Sequence, residues 1–373
     1  MRILLLFITA CAPSLLFAQQ KLFPIEKNGK WGYMDKEGKL ALPFQYDYAD
    51  EFMDGMAVVA VKNLPCIINT DGKRVIDTGS YQFISSFGEG MAVARTFNNE
   101  QYYIDANGEK IITLTADVYE ARKMKNGAAV VSKKFDQRFT RFGKEFSTLS
   151  YKFAFINNEG IFITEYIFDD ADDMIDGIAR VKQGGKFGII NNKGEWIVKP
   201  TFGNIGNFNE GKVVVESGGK YGFVNSKGYL IIKPDFDYAF NFSEGLAGVW
   251  IKEKYGFIDE TGTVKIMAKY DQIKPFAEGK AAVLLNGKWG FINKDGEWVL
   301  RNVFDNASVF SEGKCAVLVK RYWGFIDAQG ALVIPAEYDA VGSFSDGIAD
   351  VVYRDMNLYI NERGRLLPDL NNK

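Results

Sequence analysis

Glycine recurs along this chain at a fixed interval: Gly38, Gly72, Gly108, Gly160, Gly194, Gly228, Gly262, Gly296, Gly330 and Gly364. From Gly160 onward every step is 34 residues, and the one large departure is the 52-residue step from Gly108 to Gly160, an insertion of 18. A second series, Gly55, Gly90, Gly127, Gly177, Gly211, Gly245, Gly279, Gly313 and Gly347, runs in parallel with the first. A chain made of ten edited copies of one short unit has to bury its apolar surface between neighbouring copies, because no single copy can enclose a core.

The segment Phe276 to Val299, FAEGKAAVLLNGKWGFINKDGEWV, shows what one copy contains. Ala281 to Leu285 is a short apolar run, and Asn286-Gly287 supplies the two positive-φ residues of a tight hairpin turn. The returning segment Lys288 to Asn293 alternates Trp289 and Phe291 with Gly290 and Ile292, the period of two of a pleated strand. Gly290 leaves room there for another backbone to approach. Asn293-Lys294-Asp295-Gly296 then reads as a type I turn closed by a glycine bulge, and the chain reverses into Glu297 to Leu300. A 34-residue period is shared with helical tetratricopeptide arrays, but apolar runs of about five residues broken by glycines cannot make helices of a dozen. The chain is therefore all-β, an array of about ten three-stranded antiparallel meanders, each followed by a loop.

The aromatic-glycine dipeptides make the reading more specific. Trp31-Gly32, Phe187-Gly188, Tyr221-Gly222, Tyr255-Gly256, Trp289-Gly290 and Trp323-Gly324 are each followed by an aromatic or aliphatic pair and then Asp or Asn. Ile334-Pro335-Ala336-Glu337-Tyr338-Asp339 and Phe242 to Ala247 supply the flanking pattern. With these residues the whole chain after the leader resembles the WG (KWG-type) β-repeat family. The resemblance implies a repeat module of exported bacterial proteins without an established catalytic activity. Pro65-Cys66, Tyr102-Tyr103, Phe153-Ala154 and Leu358-Tyr359 depart from the dipeptide, and those copies are expected to pack less regularly. Copy number favours an open or superhelical β-solenoid, since propellers usually close at four to eight blades; a propeller-like closed ring is the alternative.

Residues 1–18 read as a secretory signal peptide, with Arg2 ahead of an apolar stretch from Ile3 to Phe17 and cleavage after Ala18. Residues 19–373 are then the repeat array, and the protein is expected to be periplasmic, cell-surface or secreted. A lipid anchor at Cys11, in Ile8-Thr9-Ala10-Cys11, is the alternative. Cys66 and Cys315 lie far apart in the array and are expected to replace small apolar strand residues. The net charge of −2 gives no footprint for nucleic acid, and no later segment is long and apolar enough to be a transmembrane helix.

Histidine is absent, which excludes the commonest general base and zinc ligand together. No catalytic, metal or cofactor site is assigned, and no cofactor is expected. The acidic residues before the second glycine series, Asp54, Glu89, Asp176, Glu210, Glu244, Glu278, Glu312 and Asp346, would stack into a ladder. Each is expected to accept hydrogen bonds from its own loop's backbone, cation binding being the alternative. Asp169, Asp170, Asp172, Asp173 and Asp176 lack the spacing of a calcium loop. Trp31, Trp289 and Trp323 are read as a stacked core ladder, and Lys30, Lys186, Lys220, Lys254 and Lys288 as a solvated row. Gly32, Gly188, Gly222, Gly256, Gly290 and Gly324 complete the structural motif.

Only the insertion at 133–152, KKFDQRFTRFGKEFSTLSYK, escapes the pattern. It reads as a lengthened hairpin whose basic and aromatic residues form a contact surface, with Arg138, Phe139, Arg141 and Phe142 as its candidate residues. The expected function is a non-enzymatic exported repeat scaffold that binds a protein or glycan in the cell envelope. The alternative is a carboxylate-based glycoside hydrolase or other enzyme using a groove on the array.

Overall fold

The computed structural model describes residues 21–142 and 144–367, apart from the side chains of Phe139 and Arg141. The leader, with its proposed cleavage site and Cys11, lies outside them, as does the polar tail after Leu367. The described chain is all-β and forms ten antiparallel sheets in sequence order. The eighth is representative, with strands Gln272–Ile273, Ala281–Leu285, Lys288–Ile292 and Trp298–Phe304 paired in that order. The three-stranded meander is as expected, but the expected loop contains a further element. Its first residues form a short leading strand, Gln272 opposite Leu284 and Ile273 opposite Val283. Most of the other sheets carry this strand too, and in the seventh and ninth it reaches six residues, Tyr238–Ser243 and Asn306–Ser311. Among the described residues the first sheet has three strands and begins at Phe23–Lys27.

Local chemistry fixes the turns. Asn286 and Gly287 stand at φ 53° and 76°, the left-handed pair that the short hairpin needs. At the next reversal Asn293 Oδ1 accepts the backbone N–H groups of Asp295 at 3.0 Å and Glu297 at 2.9 Å. The same two bonds form at all ten copies, from Asp35 through Asn361.

The dipeptide glycine has a packing role. Trp289 faces Phe304 and Phe291 faces Leu300, so the fourth strand carries extra residues opposite Gly290 and bulges over it. A Cβ on Gly290 would lie 2.7 Å from Leu300 O and 2.6 Å from Asn302 N. At Gly32, Gly188, Gly222, Gly256 and Gly324 an added Cβ would likewise meet a carbonyl of the sheet's last strand, at 2.7, 2.6, 2.4, 2.5 and 2.7 Å. The neighbour is thus the copy's own last strand. Proline is accommodated in this bulge at Pro43, Pro200, Pro234 and Pro335, where the ladder is already interrupted.

The irregular copies pack better than expected. The second and third sheets keep four strands, with Cys66 and Tyr103 fully buried. The fourth loses its last strand, which is reduced to isolated bridges of Ile156 with Phe162 and Phe153 with Phe168. Cys66 and Cys315 are buried and unpaired, and burial pushes the Cys315 thiol up to about 12.

Of the two stackings left by the sequence, the contacts between the ends correspond to the closed ring rather than the open solenoid. Within the array, the turn glycine of each sheet sits against an aliphatic side chain of the preceding one. An added Cβ at Gly296 would be 3.1 Å from Ile266, at Gly330 2.5 Å from Leu300, and at Gly364 2.9 Å from Ile334. The first sheet repeats this contact with the tenth: a Cβ at Gly38 would be 2.5 Å from Leu367 Cδ2. Phe23, Ile25 and Met34 share a core with Ile348 and Leu367, and the Lys21 ammonium lies 2.6 Å from Asp346. A head-to-tail interface whose last copy meets its first is a ring.

Candidate functional site

The repeated polar residues are used at the junctions between sheets. Six of the carboxylates before the second glycine series, Asp54, Glu89, Glu210, Glu244, Glu278 and Glu312, do not cap their own loops as expected; they reach the next copy. Asp54 accepts from Gly90 N–H at 2.9 Å, Glu89 from Gly127 at 2.8 Å, and Glu278 from Gly313 at 3.1 Å. Glu210 accepts from Glu244 N–H at 2.5 Å and Gly245 N–H at 2.9 Å, and Glu312 from Asp346 at 2.7 Å and Gly347 at 2.9 Å. The physical reason is the turn itself. Each of these residues has φ near +50°, which places it in a two-residue hairpin bend with the glycine N–H facing outward. At the seam the Lys21 ammonium donates to Asp346, in the position that the N–H donors take at most of the other junctions.

The lysines before the dipeptide are also engaged. Lys220 and Lys288 each lie 2.5 Å from an aspartate 17 residues later, Asp237 and Asp305, and Lys30 and Lys254 pair in the same way with Asp47 and Asp271. These lysine contacts hold the carboxyls of Asp47, Asp271 and Asp305 below the usual range. Asp305 also accepts Lys320 N–H of the next copy at 2.6 Å. The spacing of 17 was visible in the sequence as the recurrent Tyr-Asp or Phe-Asp pair. Lys186 differs, because Gly203 stands where its aspartate would be, and among the described residues it forms no ion pair.

The acidic run in the fifth copy is likewise occupied by cations from adjoining strands. Asp169 lies 2.5 Å from Lys152, Asp172 2.7 Å from Arg180 and Asp173 3.5 Å from Arg122. Among the described residues no group of three or more acidic or cysteine side chains is placed to hold a metal ion. Trp289 is buried, while Trp31 and Trp323 are half-buried in their cores.

The insertion is a lengthened hairpin, as the sequence indicated. Strands Ala128–Arg141 and Lys144–Asn157 run fourteen residues each, against five or six in the equivalent hairpins. Register is unbroken from Ala128 opposite Asn157 to Arg141 opposite Lys144, so the hairpin continues about 25 Å beyond its sheet at ~3.4 Å per residue. Phe142, at φ 54° in the tip, is 90% exposed, and Phe146 and Leu149 are also exposed. Arg138 lies 3.9 Å from Asp136 with its side chain largely in solvent. Phe139 and Arg141 occupy backbone positions opposite Phe146 and Lys144; their side chains fall outside the described atoms.

Ten repeated β-sheets joined by one recurring interface, with the repeated charges spent at the joints, define a repeat scaffold. The chain belongs to the WG-containing β-repeat family: the family described as WG containing repeat matches residues 31–64, 153–187, 187–221, 221–255, 255–289, 289–320 and 323–355. No curated protein matches the chain. Among solved structures it is similar to BamB from Moraxella catarrhalis, at 9% identity and TM-score 0.33, covering 74% of this chain and 94% of that one. It is also similar to the extracellular domain of a putative hybrid two component system from B. thetaiotaomicron, at 12% identity and TM-score 0.29, covering 91% of this chain and 54% of that one. Sqt1 of Saccharomyces cerevisiae matches at 10% identity and TM-score 0.32, covering 83% of this chain and 97% of that one. Among the described residues no helix is long and apolar enough to cross a membrane.

Proposed function

We propose that this protein is an exported, non-enzymatic ring scaffold that binds a protein or glycan partner in the cell envelope, with the long hairpin as a contact arm. The observation that carries the reading is the division of labour between repeated and unrepeated residues. Most of the repeated carboxylates reach the next copy's backbone and most of the repeated lysines reach aspartates, whereas the hairpin extends past its sheet and presents Phe142 and Arg138 to solvent. A carboxylate bonded to a backbone N–H of the next copy at most of the junctions supports a joining role over an acid–base role. Aromatic and arginine side chains suit the contact because they bury large area and satisfy charge on a partner.

The test is to remove Asp136 to Leu149 and close the hairpin with Asn-Gly. The far-ultraviolet β signal and the melting temperature should be retained, because the removed residues contribute no buried core, while recovery of binding partners from envelope extract should fall. Unchanged recovery by an intact fold would remove the hairpin from the function.

A further inference from the structure

We infer that the cleft where the fifth, sixth and seventh sheets meet is a binding site for a neutral saccharide. The cleft has a volume of about 400 Å³, within the size range of small-ligand pockets. It exists because the sixth copy departs from the repeat. Gly206 stands where most other copies carry a side chain, Asp50, Ser85, Arg122, Asp172, Phe240, Lys274 or Ser308; the tenth copy also has glycine, Gly342, but there the Asp350 carboxylate fills the space, its Oδ1 1.8 Å from where a Cβ would lie. The φ of Gly206 is not in the left-handed region, so the backbone does not require glycine there, and an added Cβ would lie 3.2 Å from Asn241 Oδ1 and 3.5 Å from Val214 Cβ. A larger side chain at 206 would occupy the cleft. Gly203 acts similarly: its missing side chain leaves space for the Glu216 carboxylate, whose Oε2 would be 1.9 Å from a Cβ at 203.

The walls indicate what fits. Tyr221 and Tyr238 have ring centroids 5.1 Å apart, and Phe240 continues the aromatic surface 5.1 Å from Tyr238. Such faces pack against the apolar C–H side of a pyranose ring. Asn207 and Asn241, at equivalent positions in adjacent copies, line the cleft and make no side-chain hydrogen bond among the described residues. Each amide offers a donor and an acceptor together, the pairing that hydroxyl groups satisfy. The charges cancel, and they are engaged. Arg180 Nη1 donates to Ile205 O at 2.6 Å and its Nε lies 2.7 Å from Asp172, while Glu216 accepts Gly219 N–H at 2.6 Å. No cation is left over for an anionic ligand, and an aromatic wall facing two asparagines suits a neutral polyol. The inference shares with the scaffold reading only the premise that the ring binds a ligand; it does not depend on the hairpin.

The full chain and the hairpin-shortened chain would each be titrated with glucose, galactose, mannose and N-acetylglucosamine and with their β-1,4-linked tetramers, by saturation-transfer NMR and calorimetry. Inorganic phosphate would be titrated in parallel. At least one sugar is expected to bind both chains. Asn241→Ala and Gly206→Phe should each weaken that binding tenfold or more, with the melting temperature of Asn241→Ala unchanged. Gly206→Ala, which adds a single methyl, should weaken it less. Binding by none of the sugars, preference for phosphate, or sugar binding that survives both Asn241→Ala and a folded Gly206→Phe would overturn the inference. Unchanged partner recovery by the hairpin-shortened chain, with sugar binding intact, would instead count against the hairpin alone.

Discussion

At the scale of single residues, the dipeptide glycine is the most constrained position. Any Cβ at Gly290 collides with backbone atoms of the bulged strand, and backbone cannot move aside as a flexible side chain can. Gly290→Val should therefore destabilise the protein by roughly 2 kcal/mol or more, read as a lowered thermal midpoint. An unchanged melt would show that the bulge can relax. The paired aspartates give a second expectation. Lysine contacts hold Asp47, Asp169, Asp271 and Asp305 below their ordinary values in the folded chain. Folding then favours the ionised form, so this contribution is fully present above an unfolded aspartate pKa of about 4 and is lost as pH falls through the lower folded values. The thermal midpoint should hold between neutral pH and about 5 and decline below about 4, and added salt should shrink the effect because the pairs are partly exposed. A midpoint that rises on acidification would contradict it.

At the scale of the element, what was legible in the sequence followed locality. Turn chemistry is decided within four residues, so Asn286-Gly287 and the Asn293-to-Gly296 turn could be read directly, and the bulge glycine could be recognised as a close approach. The partner of that approach was also near, in the copy's own fourth strand. The leading strand was not legible, because Gln272–Ile273 is two residues long and exists only through pairing with Val283 and Leu284. The reach of the acidic side chains was hidden for a related reason: whether Glu278 caps its own loop or Gly313 of the next copy depends on how sheets are stacked. The long hairpin was legible as an insertion and as a hairpin. The cleft was not legible, because its signal is a disagreement among copies, at Gly203, Gly206, Asn207 and Asn241, in a sequence dominated by their agreement.

At the scale of the whole molecule, ring or solenoid is set by a small rotation repeated at every junction, and a single copy's sequence does not state that angle. The seam records the outcome. Gly38 meets Leu367 as Gly330 meets Leu300, and the Lys21 ammonium donates to Asp346 where backbone N–H groups donate at most of the other junctions. In an open stack of ten sheets about 10 Å apart, these two residues would be separated by tens of ångströms. Zero-length carbodiimide coupling of the dilute monomer, followed by peptide mass spectrometry, tests closure most directly. The ring predicts a Lys21–Asp346 amide within single chains that disappears in Lys21→Ala; a monomer in which the two residues never couple, while pairs such as Lys288 and Asp305 do, would contradict it.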